Sequence, residues 1–184
     1  MFSDKPVLTG ERVTLRPVGG RARRRPVRAG LRSRGAAADR LPRRLRAGGV
    51  AGAGAPRGLG QADRLDLAIE VGGDYVGEVV LNELGEPNLS CNLRIALIGD
   101  RAFGRGYGTE AITLALDHAF RTTPLHRVGL EVFAFNDRAR HVYEKLGFVE
   151  EGQLRDALRW DGEWYDSLVM SVLRPDWQAR SGLL

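Results

Sequence analysis

Three glycines at alternate positions, Gly104, Gly106 and Gly108, stand directly before a helical pattern in the run 101–111. Without side chains, such a loop can turn several backbone N–H groups toward one anion at the positive end of the helix. The loop has no Walker lysine, and its G-x-G-x-G spacing departs from the dinucleotide fingerprint G-x-G-x-x-G. The glycines alone leave two interpretations open: a phosphate cradle and a plain strand-to-helix turn.

The residues after this loop predict two helices separated by a strand. Apolar residues recur at helical spacing over 109–121, and they alternate as in a strand over 126–135. A second helix is predicted to start at the cap residue Asn136 and to stop at Gly147. Asn136 and Tyr143 are about two helical turns apart, so they are expected to face the same side.

The remaining pattern predicts a mixed α/β sheet of six to seven strands flanked by helices. A first strand is expected near 12–17, a hairpin from 65–71 and 75–83, and a fourth strand over 89–98 that leads into the glycine loop. A chain of 184 residues is most simply a single domain, 1–184. No apolar run approaches 18 residues, so no membrane span is expected.

Two motifs in this order resemble the GNAT acyltransferase superfamily. R-x-x-G-x-G occupies residues 101–106, and N-x-x-A-x-x-x-Y-x-K-x-G-F occupies residues 136–148. Residues 160–170 and 8–17 resemble the closing hairpin and first strand of the RimJ/RimL branch, which acetylates ribosomal-protein N-termini. The likeness covers 6–17 and about 63–175.

The resemblance implies a single GNAT-like domain and an N-acetyltransferase that uses acetyl-coenzyme A and attacks the thioester directly. Strands four and five, 93–98 and 128–133, would splay apart, and the pantetheine arm would pair with 95–98. The residues expected to hold the coenzyme are Leu97, Ile98, Arg101, Gly104, Arg105, Gly106, Tyr107, Gly108, Thr109, Asn136 and Tyr143.

Each assigned role has a structural alternative. The backbone N–H near Leu97 would polarise the thioester carbonyl, and Arg101 or Arg105 would add charge at the pyrophosphate or be solvated loop residues. Asn136 would bond the pantetheine or simply cap a helix. Tyr143 would protonate the leaving thiolate or pack on the helix face.

The general base is expected among acids on strands near the acceptor. Asp166 and Glu83 are the main candidates, Glu78 is a further one, and a water relay is the alternative. Glu110, in the first turn of the predicted helix, is better explained as a structural acid. Cys91 is expected to be a buried structural thiol, and the three histidines show no metal-ligand spacing, so no metal is expected.

An anomalous segment, 18–61, is rich in Arg, Ala and Gly. Its twelve arginines and single acid give it a net charge of +11, so the rest of the chain carries −6, since the whole chain is +5. Three explanations are open: an Arg-rich nucleic-acid arm, two weak helices, and a reading-frame error in a GC-rich gene, which we favour. The absence of stacking aromatics in the segment argues against selective RNA binding.

The acceptor is expected to be a primary amine: a protein N-terminus, a polyamine or another small amine. Two other classes of function remain open, a catalytically silent coenzyme A-binding protein and a nucleic-acid-binding protein that uses the Arg-rich segment. A cytoplasmic location is expected, and a homodimer is common in the RimJ/RimL branch.

Overall fold

This computed structural model describes Phe2 and residues 5–18, 63–99 and 102–181. These residues fold around one mixed sheet of eight strands. The elements are β1 (Leu8–Thr9), β2 (Thr14–Pro17), β3 (Leu65–Val71), β4 (Asp74–Gly85), β5 (Ser90–Leu97), α1 (Tyr107–Thr122), β6 (Arg127–Phe133), α2 (Asp137–Lys145), β7 (Val149–Trp160), β8 (Glu163–Leu173) and α3 (Arg174–Ser181). The strand order is β1-β2-β3-β4-β5-β6-β8-β7. The predicted mixed α/β fold is confirmed, and the segment 18–61 lies outside the described residues apart from Val18.

The sheet has eight strands, one more than the upper end of the predicted six to seven. The additional strand is β1, which pairs antiparallel with β2 through a tight turn where Gly10 N–H donates to the Val13 carbonyl at 2.9 Å. Two residues are too short for an alternating pattern, so the sequence carries no signal for this strand.

The splay between β5 and β6 is confirmed. These two strands, the fourth and fifth of the sequence prediction, pair in parallel only from Ser90↔Arg127 to Asn92↔Gly129. Beyond that point β5 continues to Leu97 and β6 to Phe133 without pairing to each other. The sheet therefore contains a gap whose two walls are these diverging strands.

The main apolar core lies on the sheet face that α1 covers. Ile112, Leu116 and Phe120 of α1 are buried in one cluster with inward residues of β4 and β5. Val79 and Leu81 of β4 belong to this cluster, as do Leu93 and Ile95 of β5. The residues between them point to the opposite face, since side chains alternate along a strand.

A third helix, α3, was not predicted. Trp177 on this helix is buried beside Phe120, and its Nε1–H donates to Asp117 at 2.8 Å. Arg174 donates to the carbonyls of Thr123 and Leu125 at 2.6 and 2.7 Å, which satisfies groups just beyond the end of α1. Among the described residues, no helix is long and apolar enough to cross a membrane.

Candidate active site

A cavity of about 240 Å³ opens beside the gap between β5 and β6. It is bounded by the end of β5, the glycine loop, the start of α1 and the inner side of α2. Its lining residues are Ile95, Leu97, Ala102, Phe103, Gly104, Gly106, Tyr107, Gly108, Thr109, Ile112, Asn136, Arg138, Ala139, Val142 and Tyr143. The two sequence motifs, which lie about thirty residues apart, therefore meet at one site.

The first turn of α1 faces this cavity with uncapped backbone. Gly106 is the N-cap residue, adopts φ +80° and makes no side-chain capping bond, because glycine has none to offer. The first helical N–H groups have no partner within the helix, so those of Tyr107, Gly108 and Thr109 are available to a bound anion. The geometry thus favours the phosphate cradle over the plain turn.

Two contacts fix the position of this loop. A side chain at Gly106 would place its Cβ 2.5 Å from the Arg12 Nη1, and the left-handed φ disfavours any other residue. The Glu110 carboxylate accepts from the backbone N–H groups of Arg12 and Val13 at 2.9 and 3.4 Å. Glu110 therefore ties the loop before β2 to α1, in agreement with its predicted structural role.

Arg138 is a cavity residue that the sequence reasoning missed. Its guanidinium carbon lies 5.1 Å from the centroid of the Phe103 ring, and a Cβ on Gly104 would lie 3.5 Å from its Nη2. Its position two residues after Asn136, inside the second motif, was a signal that could have identified it. Arg138 and Arg12 place two cations beside the glycine loop.

The second helix contributes Asn136 and Tyr143, which line the same cavity as their spacing predicted. The Asn136 Oδ1 accepts from the Ala139 N–H at 3.2 Å, so this side chain caps α2. Tyr143 is 3% exposed and packs edge-on against Phe148, with ring centroids 5.8 Å apart. Burial raises the pKa of the Tyr143 phenol, so it keeps its proton across the physiological range.

Two predicted coenzyme residues, Ile98 and Arg105, do not line the cavity. Ile98 follows β5, is half exposed and is not a lining residue. The Arg105 side chain is exposed, while its carbonyl accepts from the Arg12 Nη1 at 3.4 Å. Arg101 lies outside the described residues.

None of the acids predicted to be the base lines the cavity. The Asp166 carboxylate accepts from the Asp156 backbone N–H at 2.8 Å and from the Gln153 side chain, so it holds the bulge of β7. Glu83 is exposed at a left-handed φ of +55°, next to the bulge in β4. The contacts of Asp166 favour a structural role for that acid, and Glu83 is solvent-exposed outside the cavity lining.

The far face of the gap carries polar side chains that sequence reasoning did not single out. Val80 pairs with Arg94, and Asn82 pairs with Asn92, on the face opposite the core. Glu131 of β6 lies on the same face, because Val128, Leu130 and Val132 point into the core. If the pairing of Asn92 with Gly129 continued, Arg94 would stand opposite Glu131.

Comparison with known proteins agrees with this geometry. The family described as an acetyltransferase (GNAT) domain matches residues 33–149, more than half of the chain. The fold, the splayed strands and the uncapped helix at the cavity define an acyl-coenzyme A-dependent transferase. The chain belongs to the GNAT acetyltransferase family.

The relatives are N-acetyltransferases. A spermidine N(1)-acetyltransferase of Vibrio cholerae is 32% identical over 120 residues, which is 65% of this chain and 69% of that protein. A [ribosomal protein uS5]-alanine N-acetyltransferase of Escherichia coli is 35% identical over 80 residues, covering 44% of this chain and 41% of the relative. The second match therefore spans less than half of that relative.

Solved structures show the same fold. The spermidine N-acetyltransferase of Vibrio cholerae in complex with CoA and spermine has a TM-score of 0.58 and 30% identity, covering 62% of this chain and 68% of that one. A dodecameric form of that enzyme gives a TM-score of 0.60, with 31% identity over 65% of this chain and 70% of that one. The chain is thus an N-acetyltransferase with acetyl-coenzyme A as co-substrate, and its named relatives do not support the silent alternative.

The cavity fits coenzyme A in chemical character. It combines backbone donors for phosphate with an apolar wall from Ile95, Leu97 and Ile112 for the pantetheine arm. Within the described ranges, no group of three His, Cys, Asp or Glu side chains is placed to hold a metal ion. Cys91 is buried in the core, and burial raises its pKa to about 12, as expected of a structural thiol.

Proposed function

We propose that this chain transfers the acetyl group of acetyl-coenzyme A to a primary amine by direct attack, as an enzyme similar to the RimJ/RimL branch. The observation that carries the proposal is the cavity beside the gap between β5 and β6, where the uncapped start of α1 faces Tyr143 of α2. The amine nitrogen bonds to the acetyl carbon, the C–S bond breaks, and the sulfur leaves as a thiolate that must be protonated.

The coenzyme is held mainly by backbone in this proposal. The N–H groups of Tyr107, Gly108 and Thr109 bind the pyrophosphate, with Arg138 and Arg12 adding positive charge beside them. The pantetheine arm lies along the unpaired part of β5. The backbone N–H near Leu97 then donates to the thioester carbonyl as negative charge develops there.

Tyr143 is the proposed proton donor to the thiolate. It lines the cavity, and its buried phenol holds its proton until the sulfur leaves. The same desolvation raises the proton affinity of the thiolate, so the pKa values of the phenol and the thiol stay close enough for proton transfer from Tyr143 to the sulfur. Asn136, which caps α2, fixes the start of the helix that carries Tyr143.

The base that receives the ammonium proton is proposed to be Glu131, alone or through water. It stands on β6, on the wall of the gap opposite β5 and on the far face from the coenzyme cavity. Asp166 and Glu83 remain candidates from the sequence, but the Asp166 contacts in the β7 bulge favour a structural role.

The acceptor is either a protein N-terminus or a small amine such as a polyamine. The two relatives with these named substrates, spermidine and the alanine of uS5, differ in whether a carbonyl group adjoins the amine. Association into a homodimer or larger ring is proposed by similarity, since one related structure is dodecameric. A cytoplasmic location stays a prediction from the sequence.

We also propose that residues 1–184 form one GNAT-like domain whose segment 18–61 is a frame-shifted version of the family's first two helices. The composition of that segment supports this proposal, although the family match begins inside it, at residue 33. Independent sequencing of the DNA across codons 15–65 tests it. A restored frame with acidic and aromatic residues is expected, and an intact frame in independent reads would overturn it.

Product analysis tests the proposed activity. The full chain is incubated with acetyl-coenzyme A and either an N-terminal peptide or spermidine, and both free thiol and acetylated amine are measured by mass spectrometry. One acetylated amine per thiol released is expected. Thiol release without acetylated amine would indicate hydrolysis, and no turnover by a folded protein that binds the coenzyme would contradict the proposal.

A further inference from the structure

Two buried polar atoms on the far face of the gap have no hydrogen-bond partner among the described residues: Arg94 Nε and Asn82 Oδ1. An unsatisfied donor or acceptor that is buried reduces stability, and folded proteins leave few of them. One of these atoms is a donor and the other an acceptor. Together they offer a complementary pair of bonding positions that the described part of the protein does not use.

The two side chains are neighbours on one face of the sheet. Val80 pairs with Arg94 and Asn82 pairs with Asn92, so Asn82 and Arg94 are diagonal neighbours on adjacent strands. Side chains in this relation lie close enough for a long side chain to reach across. Arg94 lies just past Asn92, the last β5 residue paired with β6, so it borders the opening of the gap.

Arg94 differs in its partners from two other arginines on the sheet. Arg16 pairs with Glu70, and Arg127 pairs with Glu151. Arg94 forms no ion pair with any carboxylate in the described ranges. Its charge is therefore available to a group of the substrate.

We infer that Arg94 and Asn82 form an acceptor subsite for an amine with an adjoining carbonyl oxygen, which is the α-amino acyl end of a protein or peptide. The Asn82 Oδ1 accepts an N–H of the reacting amine, and the Arg94 Nε–H donates to the carbonyl oxygen of the same residue. In an α-amino acyl group these two atoms are separated by only two carbons, so neighbouring side chains can bind them together.

The same pair disfavours a polyamine. A polyamine has no oxygen to accept from Arg94, and its ammonium groups would meet a guanidinium that forms no ion pair with a described carboxylate. A buried charge that stays unpaired on binding weakens the complex. The subsite therefore selects between the two acceptor classes represented among the relatives.

This inference rests on the proposed acetyltransferase function, and the experiment separates the two. The wild-type full chain, Arg94→Met and the control Arg121→Met are compared in steady-state assays with three acceptors: an alanyl tripeptide, spermidine and butylamine. Arg121 is an exposed arginine in the last turn of α1, outside the cavity lining. Calorimetry with acetyl-coenzyme A and thermal unfolding are measured for each protein.

The wild type is expected to prefer the tripeptide over spermidine in kcat/KM. Arg94→Met should lower kcat/KM for the tripeptide by about ten- to hundredfold, mainly through KM, because a charged hydrogen bond is lost. The reaction with butylamine and the affinity for acetyl-coenzyme A should change little, the melting temperature should not fall, and Arg121→Met should behave as the wild type.

Three results would overturn the inference while leaving the acetyltransferase function intact. They are a preference of the wild type for spermidine, an equal loss for tripeptide and butylamine in Arg94→Met, and no loss for either. Absence of product with all three amines, with the coenzyme still bound, would instead overturn the proposed function and this inference with it.

Discussion

The two faces of the gap between β5 and β6 are built by different means. The coenzyme face uses the backbone of one short loop together with side chains of β5, α1 and α2, and its cavity lining lies within residues 95–143. The far face uses single side chains from β4, β5 and β6, brought together only by strand register. A site built from backbone depends on glycines at fixed spacing, which a local sequence motif shows. A site built from side chains on several strands depends on how those strands pair, which no local sequence motif shows.

Gly106→Asp should have the largest effect, because it changes the glycine loop whose backbone is proposed to bind the pyrophosphate. The new side chain would enter a left-handed position 2.5 Å from the Arg12 Nη1 and bring a carboxylate to the pyrophosphate. Affinity for acetyl-coenzyme A should fall more than about a hundredfold in a calorimetric titration.

The matched control for this variant is Gly72→Asp. Gly72 also has a left-handed φ, +59°, but an added Cβ there would meet nothing within 4 Å. It should bind the coenzyme as the wild type does. Equal loss in both variants would show that backbone strain, and not the phosphate site, explains the effect.

Tyr143→Phe should separate chemistry from binding on the coenzyme face. Loss of the proton donor should lower kcat by about a hundredfold or more, while the affinity for acetyl-coenzyme A changes little. Tyr75→Phe, a tyrosine outside the cavity lining, is the control for removing a phenol. Full turnover by Tyr143→Phe would leave Tyr143 as a packing residue only.

Asp166→Ala tests whether the Asp166 carboxylate stabilises the β7 bulge or acts as the general base. Because Asp166 accepts from Asp156 N–H and Gln153, its loss should reduce the free energy of unfolding by about 1–2 kcal/mol in urea titrations. The shape of the kcat pH profile should be retained. Disappearance of the limb where activity rises with pH would assign the base role to Asp166 instead.

Glu151→Gln should have the smallest effect. Arg127 and Ser171 hold the pKa of Glu151 at about 2, below its ordinary 4.5, so this stabilisation is present above pH 4.5 and is lost as pH falls through about 2. The Glu151 side chain is more than a third exposed in its ion pair with Arg127. Glu151→Gln should therefore lower the free energy of unfolding at pH 7 by less than about 1 kcal/mol.

The measurement is thermal unfolding of Glu151→Gln and the wild type at several pH values. The difference between the two proteins should shrink steadily as pH falls below 4.5. A difference that stays constant down to pH 3 would mean that packing, and not the charge of Glu151, carries the effect.

Most of the fold was predictable because its long elements carry strong periodicity. The apolar spacing of α1, the alternation of β3 to β6 and the glycine at the end of α2 each indicate their element locally. The two-residue β1 and the eight-residue α3 were not predictable, because β1 has no pattern of its own and α3 is held by tertiary contacts of Trp177 and Arg174.

The candidate site divides in the same way. Gly106, Asn136 and Tyr143 were found from motif spacing, and the structure brings all three to one cavity. Arg138 was overlooked although it lies within the motif. Arg94 and Asn82 could not have been found, because only the register of β4 and β5 shows that they are neighbours with unused polar atoms.

The most direct test of the account is a calorimetric titration of the purified full chain with acetyl-coenzyme A, with NADH as control. We expect saturable binding of acetyl-coenzyme A at one site per chain and no binding of NADH, because the glycine loop lacks the dinucleotide spacing. A folded sample that binds neither compound, or binds both equally, would contradict the assignment of the cavity between β5 and α2 as the coenzyme site.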